Sequence, residues 1–86
     1  MNEIVHQQDQ RQFICIVDGQ ESRLRYRRID GQTVEAFNTF VPPEARSAGV
    51  ADQLARAFYN WTQSEGLKIV PTCSYIEVWL SRYAKQ

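Results

Sequence analysis

Eighty-six residues bound a single domain, and 43% hydrophobic content with 23% charge is an ordinary globular composition. The formal net charge is zero, so a general nucleic-acid binder is not favoured, although the basic residues are mostly arginine. Cys15 and Cys73 form no C-x-x-C pair, the lone His6 completes no zinc set, and no stretch has the apolar length of a membrane span. These features predict a soluble, cytoplasmic protein with free thiols.

Residues 1–10 are polar and expected to fray, with Ile4 and Val5 a short first strand at most; His6 receives no role. Phe13 to Val17 is a compact β-prone run, expected to be buried on both faces, with Cys15 as core filler. Asp18-Gly19 marks a turn. From Glu21 to Ile29 the chain alternates, with Ser22, Leu24 and Tyr26 on one face and Arg23, Arg25 and Arg27 on the other. The cluster of Arg23, Arg25, Arg27 and Arg28 reads first as a solvated strand face that protects an edge; an acidic substrate or RNA is the alternative. Asp30-Gly31 signals a two-residue hairpin. The next strand covers roughly 32–41, and its alternation slips at Phe37-Asn38, which predicts a bulge. Pro42-Pro43 ends it.

The period then changes. Val50, Leu54, Ala57, Phe58 and Trp61 share one face of a helix, and Gly66 fits its C-terminal cap with Leu67 in contact behind it. The glycosylation sequon Asn60-Trp61-Thr62 falls inside this helix and is treated as chance. Leu67 to Val70 is a short strand stopped by Pro71, and strand–helix–strand connectivity predicts that it runs parallel to its partner. Ser74-x-x-Glu77 reads as a capping box for a last helix with Ile76, Leu80 and Tyr83 on a common face. Phe58, Trp61 and Trp79 are expected in the core; Trp79 could alternatively cover an interface. The order is β-β-β-β-α-β-α, an α+β domain with a mixed, mostly antiparallel sheet and two helices over residues 1–86.

Arg46-Ser47-Ala48-Gly49-Val50-Ala51 sits between the β-rich half and the first helix. Small residues opening a helix turn backbone N–H groups outward, where the helix dipole also favours an anion. Before it stands Asn38-Thr39-Phe40-Val41, and after the helix Val70-Pro71-Thr72-Cys73-Ser74-Tyr75. In this order and spacing the segments resemble the Gcn5-related N-acetyltransferases, specifically their reduced, single-domain branch. That branch carries His-Thr-x-Val, an R-x-x-G-x-A pyrophosphate turn and Pro-x-Cys-x-aromatic. The resemblance is clearest over 38–83.

The resemblance implies acetyl-CoA as cosubstrate and an amine acceptor. Pantetheine amides would pair with backbone from Asn38 through Thr39 and Phe40 to Val41. The pyrophosphate would sit on the amides of Ser47, Ala48, Gly49, Val50 and Ala51, with Arg46 orienting the loop or touching phosphate. Ser47 stands where glycine is common, and its hydroxyl can donate to a phosphate. Asn38 stands where the family has histidine, and an amide cannot serve as a base. Cys73 is expected at the acetyl group, either as a covalent acceptor or as a bystander to direct attack by the amine; a buried structural cysteine is the plain alternative. Tyr75 or Tyr83 is a candidate general acid, and Glu35 a candidate base, although an exposed strand carboxylate is the simpler reading of Glu35. A non-catalytic CoA-binding or partner-binding module of the same fold is the second reading. The acceptor, and whether the chain is a monomer or a homodimer, are left open by the sequence.

Overall fold

The computed structural model describes residues 3–84, and at Ser47 and Ala48 the backbone alone. Five strands form one sheet in sequence order: β1 (Ile4–Gln7), β2 (Gln12–Val17), β3 (Gln20–Asp30), β4 (Thr33–Phe40) and β5 (Lys68–Pro71). β1 to β4 are antiparallel neighbours, and β5 joins β4 in parallel. Between β4 and β5 lie a 3-10 helix (Pro43–Ala48) and α1 (Val50–Glu65), and α2 (Ser74–Tyr83) closes the chain. The mixed sheet and two helices are the α+β arrangement read from the sequence.

Both helices cover one face of the sheet. Ser22, Leu24 and Tyr26 point into it with Phe13, Cys15, Val34 and Ala36. Val50, Leu54, Ala55 and Phe58 answer from α1, and Ile76 and Trp79 from α2. The period-two and period-3.6 patterns therefore meet in one core. β2 departs from expectation at its end: Ile14 on the open side is still only 9% exposed, but Ile16 on that side is 60% exposed. An apolar run alone does not distinguish one covered face from two.

Turn chemistry sets the register. Asp18 and Gly19 both have positive φ, 51° and 77°, and join β2 to β3 as a two-residue hairpin whose twist suits the strands. The next hairpin is shifted by one residue from expectation. Asp30 Oδ1 accepts the Gln32 amide at 2.8 Å, so Asp30 pairs with Thr33 and the turn residues are Gly31 and Gln32. Ile29 is the odd residue of that end of β3, between Arg28↔Val34 and Asp30↔Thr33. The predicted bulge is present in β4: Arg25 pairs with Asn38 and Tyr26 with Ala36, leaving Phe37 extra. At the far end of α1, Gly66 takes φ 67°, with Gly66 N–H donating to Gln63 O and Leu67 N–H to Thr62 O. This double bond is the Schellman closure that the sequence announced.

Part of the segment expected to fray takes a place in the sheet. His6 of β1 stacks on Phe13 at 3.9 Å and 11°, meets the Trp61 edge at 4.6 Å, and holds Nε2 2.6 Å from the Tyr26 hydroxyl. Burial pushes the His6 pKa below its ordinary 6.5. The folded chain therefore binds this proton more weakly than the unfolded chain, and stability rises with pH across that interval. Acidification from pH 7 through 6.5 and below is expected to lower the melting temperature, and His6→Gln to flatten that slope between pH 7 and 5.5. An identical slope in the variant would mean that β1 does not hold His6 in the core.

Candidate functional site

β5 is short, and this creates the site. Its pairing with β4 ends at Ala36↔Pro71, and the Cys73 amide adds one last bond to Ala36 O at 2.9 Å. The bulge at Phe37 follows at once, and β4 continues to Phe40 with no described strand on that side. Proline at the end of β5 suits this termination, since it brings no N–H to extend the ladder. The gap opens into a cavity of about 280 Å³, lined by Thr39, Val41, Arg46, Ala51 and Tyr75. β4, the 3-10 helix and the first turns of both helices thus converge on one hollow.

The turn from Arg46 to Ala51 has a definite construction. Arg46 to Ala48 form the end of the 3-10 helix rather than an open loop, and Pro43 suits its first turn. Gly49 then takes φ 70°, a conformation that costs a residue with a Cβ, and α1 begins. Its first internal bond of the α type runs from Gln53 N–H to Gly49 O at 3.2 Å. The amides of Val50, Ala51 and Asp52 precede the helical ladder and have no partner within it. Those of Ser47 and Ala48 belong to the 3-10 helix, and Gly49 N–H donates to Arg46 O at 3.5 Å. The amides that precede the ladder are thus those of Val50 to Asp52, and Val50 and Ala51 are among the residues the motif named. The Ser47 hydroxyl and the Ala48 side chain lie outside the described groups.

Arg46 orients this turn. Its Nε donates to Val41 O at 3.1 Å, which ties the 3-10 helix to the end of β4. The same bond occupies one carbonyl of the backbone 38–41 expected to receive pantetheine. Val41 and Ala51 contribute side chains to the cavity, whereas Val50 is fully buried in the core and offers only its amide.

α2 begins differently from the capping-box reading. Its N-cap is Cys73, without a side-chain cap, and Cys73 O accepts the Glu77 amide at 3.0 Å. The bond from Cys73 N–H to Ala36 fixes the last extended residue, so Ser74 is already the first helical one. The half-buried Cys73 thiol donates to Thr39 Oγ1 at 3.5 Å. Two residues on, Tyr75 lines the cavity; burial raises its phenol pKa above the ordinary value, and the charges of Asp52 and Tyr83 act the same way. Tyr83 instead tilts against Trp79 at 5.1 Å and stays largely exposed, outside the residues that line the cavity.

Asn38 is not brought beside Cys73 and Tyr75. Cross-strand partners share a face. Thr39 lies opposite Leu24 on the helix side, and Asn38 opposite Arg25 on the open side. Phe40 also faces that side, under the Arg23 guanidinium at 5.2 Å. Glu35 is not a simple exposed carboxylate: Arg27 Nε donates to it at 3.1 Å, and the Thr72 hydroxyl donates to its other oxygen. This contact fastens β4 to the β5–α2 junction just where the strands part.

One contact beside the cavity was invisible to spacing. Trp79 is buried within the domain and does not cover an interface; its Nε1–H donates to Asp52 Oδ1 at 2.7 Å. Arg56 approaches the same carboxylate at 3.4 Å and lies over the Trp79 ring at 5.4 Å. The first turn of α1 is thereby locked to α2, which carries Tyr75. An acidic residue in the first turn of α1 was the sole sequence signal, and it named no partner.

A sheet that parts after a bulged fourth strand, with a glycine-started helix facing the gap, defines a GNAT-like α+β domain. Comparison with known proteins gives the family itself. A family model described as GCN5-related N-acetyl-transferase matches residues 12–86. The protein named NATD1 from Xenopus tropicalis is 33% identical over 85 residues, covering 96% of this chain and 74% of that one. NATD1 from Homo sapiens is 32% identical over 85 residues, covering 96% and 72%. NATD1 from Danio rerio is 32% identical over 76 residues, covering 86% and 69%. The chain belongs to the GCN5-related N-acetyltransferase family. No helix among the described residues is long and apolar enough to cross a membrane.

Proposed function

We propose that this single domain binds acetyl-CoA in the gap between β4 and β5 and transfers its acetyl group to an amine. The observation that carries this reading is the convergence of Thr39, Val41, Arg46, Ala51 and Tyr75 on one cavity beside the three amides that open α1 outside its hydrogen-bond ladder. The pyrophosphate would rest on the amides of Val50 to Asp52, helped by the dipole of α1. Pantetheine would pair with the free edge of β4 near Thr39 and Phe40, as an added strand does.

The acetyl group would lie near Cys73 and Thr39. The acceptor nitrogen attacks the thioester carbonyl carbon, the C–N bond forms, and the C–S bond then breaks. The departing CoA thiolate takes a proton from the Tyr75 phenol, which water restores as the amine releases its extra proton. A phenol with a raised pKa stays protonated at neutral pH and suits this donation. Cys73 then lines the acetyl position without carrying the group, since Thr39 is its described hydrogen-bond partner and no described base adjoins it. Two unpaired cysteines suit a reducing, cytoplasmic setting.

Tyr75→Phe is expected to lower kcat by about tenfold to hundredfold, the modest end for proton donation because a thiolate is a good leaving group. Intact-mass measurement of protein incubated with acetyl-CoA alone is expected to show no acetyl group on Cys73. An acetyl adduct that Cys73→Ala removes would replace direct transfer with a covalent route. The second reading, a CoA-binding module without transfer, draws on the absence of a carboxylate or imidazole among the described lining residues. Acetyl-CoA binding with no thiol release across a broad amine panel would establish it.

A further inference from the structure

The face of the sheet opposite the helices carries an ordered row of polar side chains. Cross-strand pairing aligns Gln7 with Gln12, Gln12 with Arg25 and Arg25 with Asn38, one residue from each of the four antiparallel strands. The next row along the strands is Val5, Ile14, Arg23 and Phe40. Among the described residues no α-helix is on this face; Val5 and Phe40 are exposed, and Ile14 between them is 9% exposed.

The three arginines of this face are not equivalent. Arg23 stands 4.0 Å from Glu21 and 5.2 Å over the Phe40 ring. Arg27 stands 3.1 Å from Glu35 and 4.2 Å over Phe37. Arg25, between them, has no acid, ring or hydrogen-bond partner among the described residues. Its neighbours in the row are amide side chains, and the Gln12 amide donates to Gln7 Oε1 at 2.6 Å. The row ends at Asn38, on the stretch of β4 that β5 leaves unpaired. The residue after Asn38 is Thr39, which the Cys73 thiol meets from the other face. A free guanidinium thus stands one strand spacing, about 5 Å, from the open edge of the strand that lines the cavity.

We propose that this row is the acceptor subsite and that it takes a small amine bearing one carboxylate. The inference rests on the acetyl-transfer reading above. The planar fork of Arg25 binds the carboxylate by two parallel hydrogen bonds, and the Asn38 side-chain carbonyl accepts from the amine and turns it toward the gap. Charge selects the class: one uncommitted guanidinium matches one carboxylate. A phosphate, nearly doubly charged at pH 7, calls for a second cation, and Arg23 and Arg27 are held by acids. Stacked bases would need free aromatic faces, yet Phe37 and Phe40 each carry a guanidinium.

The test uses the full chain, acetyl-CoA and matched acceptors: glycine, β-alanine and γ-aminobutyrate against methylamine, ethylamine and propylamine. The carboxylate is expected to raise kcat/KM by about tenfold or more at one chain length, chiefly through KM, as a charge-assisted bond does. Arg25→Gln is expected to bring the ratio to about one, while Arg23→Gln keeps it. Equal rates for matched pairs, or an advantage that persists in Arg25→Gln, would overturn the subsite. Stronger competition by phosphoethanolamine or by a single-stranded oligonucleotide would overturn the carboxylate class. If no amine is acetylated, the transfer reading falls on its own, and the row is tested by nuclear magnetic resonance with β-alanine alone. Saturable shifts at Gln12, Arg25 and Asn38 that Arg25→Gln abolishes keep the row as a carboxylate site; their absence removes it.

Discussion

Truncation of Phe58 to alanine is expected to destabilise the domain more than any other single change at the described core. Phe58 is 1% exposed at the middle of α1, edge-on to Phe13 at 6.0 Å and tilted against Tyr26 at 5.8 Å and Trp61 at 6.3 Å. With Trp61, which also meets Phe13 and Tyr26, it holds α1 on the β2–β3 hairpin. Removing a buried phenylalanine ring costs about 3–5 kcal/mol, from lost transfer energy and the cavity left behind. A domain of this size has roughly 4–13 kcal/mol in total, at about 0.05–0.15 kcal/mol per residue. The melting temperature should fall by about 15–30 °C, since each kcal/mol moves a small domain by roughly 4–8 °C. Ile16→Ala is the control: its side chain is largely solvated on the open face, and its effect should stay within about 0.5 kcal/mol. Thermal unfolding followed by circular dichroism separates the two. A fall of under about 5 °C for Phe58→Ala would mean that α1 does not seat as described.

Ala51→Glu is expected to abolish acetyl-CoA binding with the fold intact. Ala51 is the second residue of α1 and lines the cavity. A carboxylate in a first helical turn is favoured by about 0.3–1 kcal/mol, so the melting temperature should hold or rise slightly. The same carboxylate competes for the amides that would receive the pyrophosphate and repels its charge. At about 4 Å and an effective dielectric near 20, like charges repel by about 4 kcal/mol, which is roughly a thousandfold in affinity. Ala51→Gln has the same bulk without the charge and should lose far less. Titration calorimetry on the two variants reads the difference directly. Equal losses would assign the effect to bulk and remove the anion site from the first turn of α1.

What was legible in the chain was local. The alternation of Ser22, Leu24 and Tyr26 and the helical stripe of Val50, Leu54 and Phe58 follow from periods of two and 3.6. Asp18-Gly19 and Gly66 follow from the positive φ that those residues tolerate. The slip at Phe37-Asn38 was legible as a bulge, but not its consequence, which is to put Asn38 on the open face and Thr39 beside Cys73. The boundaries that moved did so through single hydrogen bonds. Asp30 captured the Gln32 amide and shifted a hairpin, and Ala36 captured the Cys73 amide and shifted a helix start. Trp79 was legible as core, but its bond to Asp52 joins residues from different helices, and no spacing encodes it. His6 looked like part of a polar tail because its partners Phe13, Tyr26 and Trp61 come from three other elements.

The central claim is that the gap between β4 and β5 is an acetyl-CoA site anchored at the start of α1. Titration of acetyl-CoA into the unmodified chain tests it most directly, with the melting temperature followed alongside. One saturable site is predicted, with a melting temperature that climbs with ligand as mass action requires, by about 2.7 kcal/mol of added stability at a hundred times Kd. No heat of binding and no thermal shift at millimolar acetyl-CoA would contradict it.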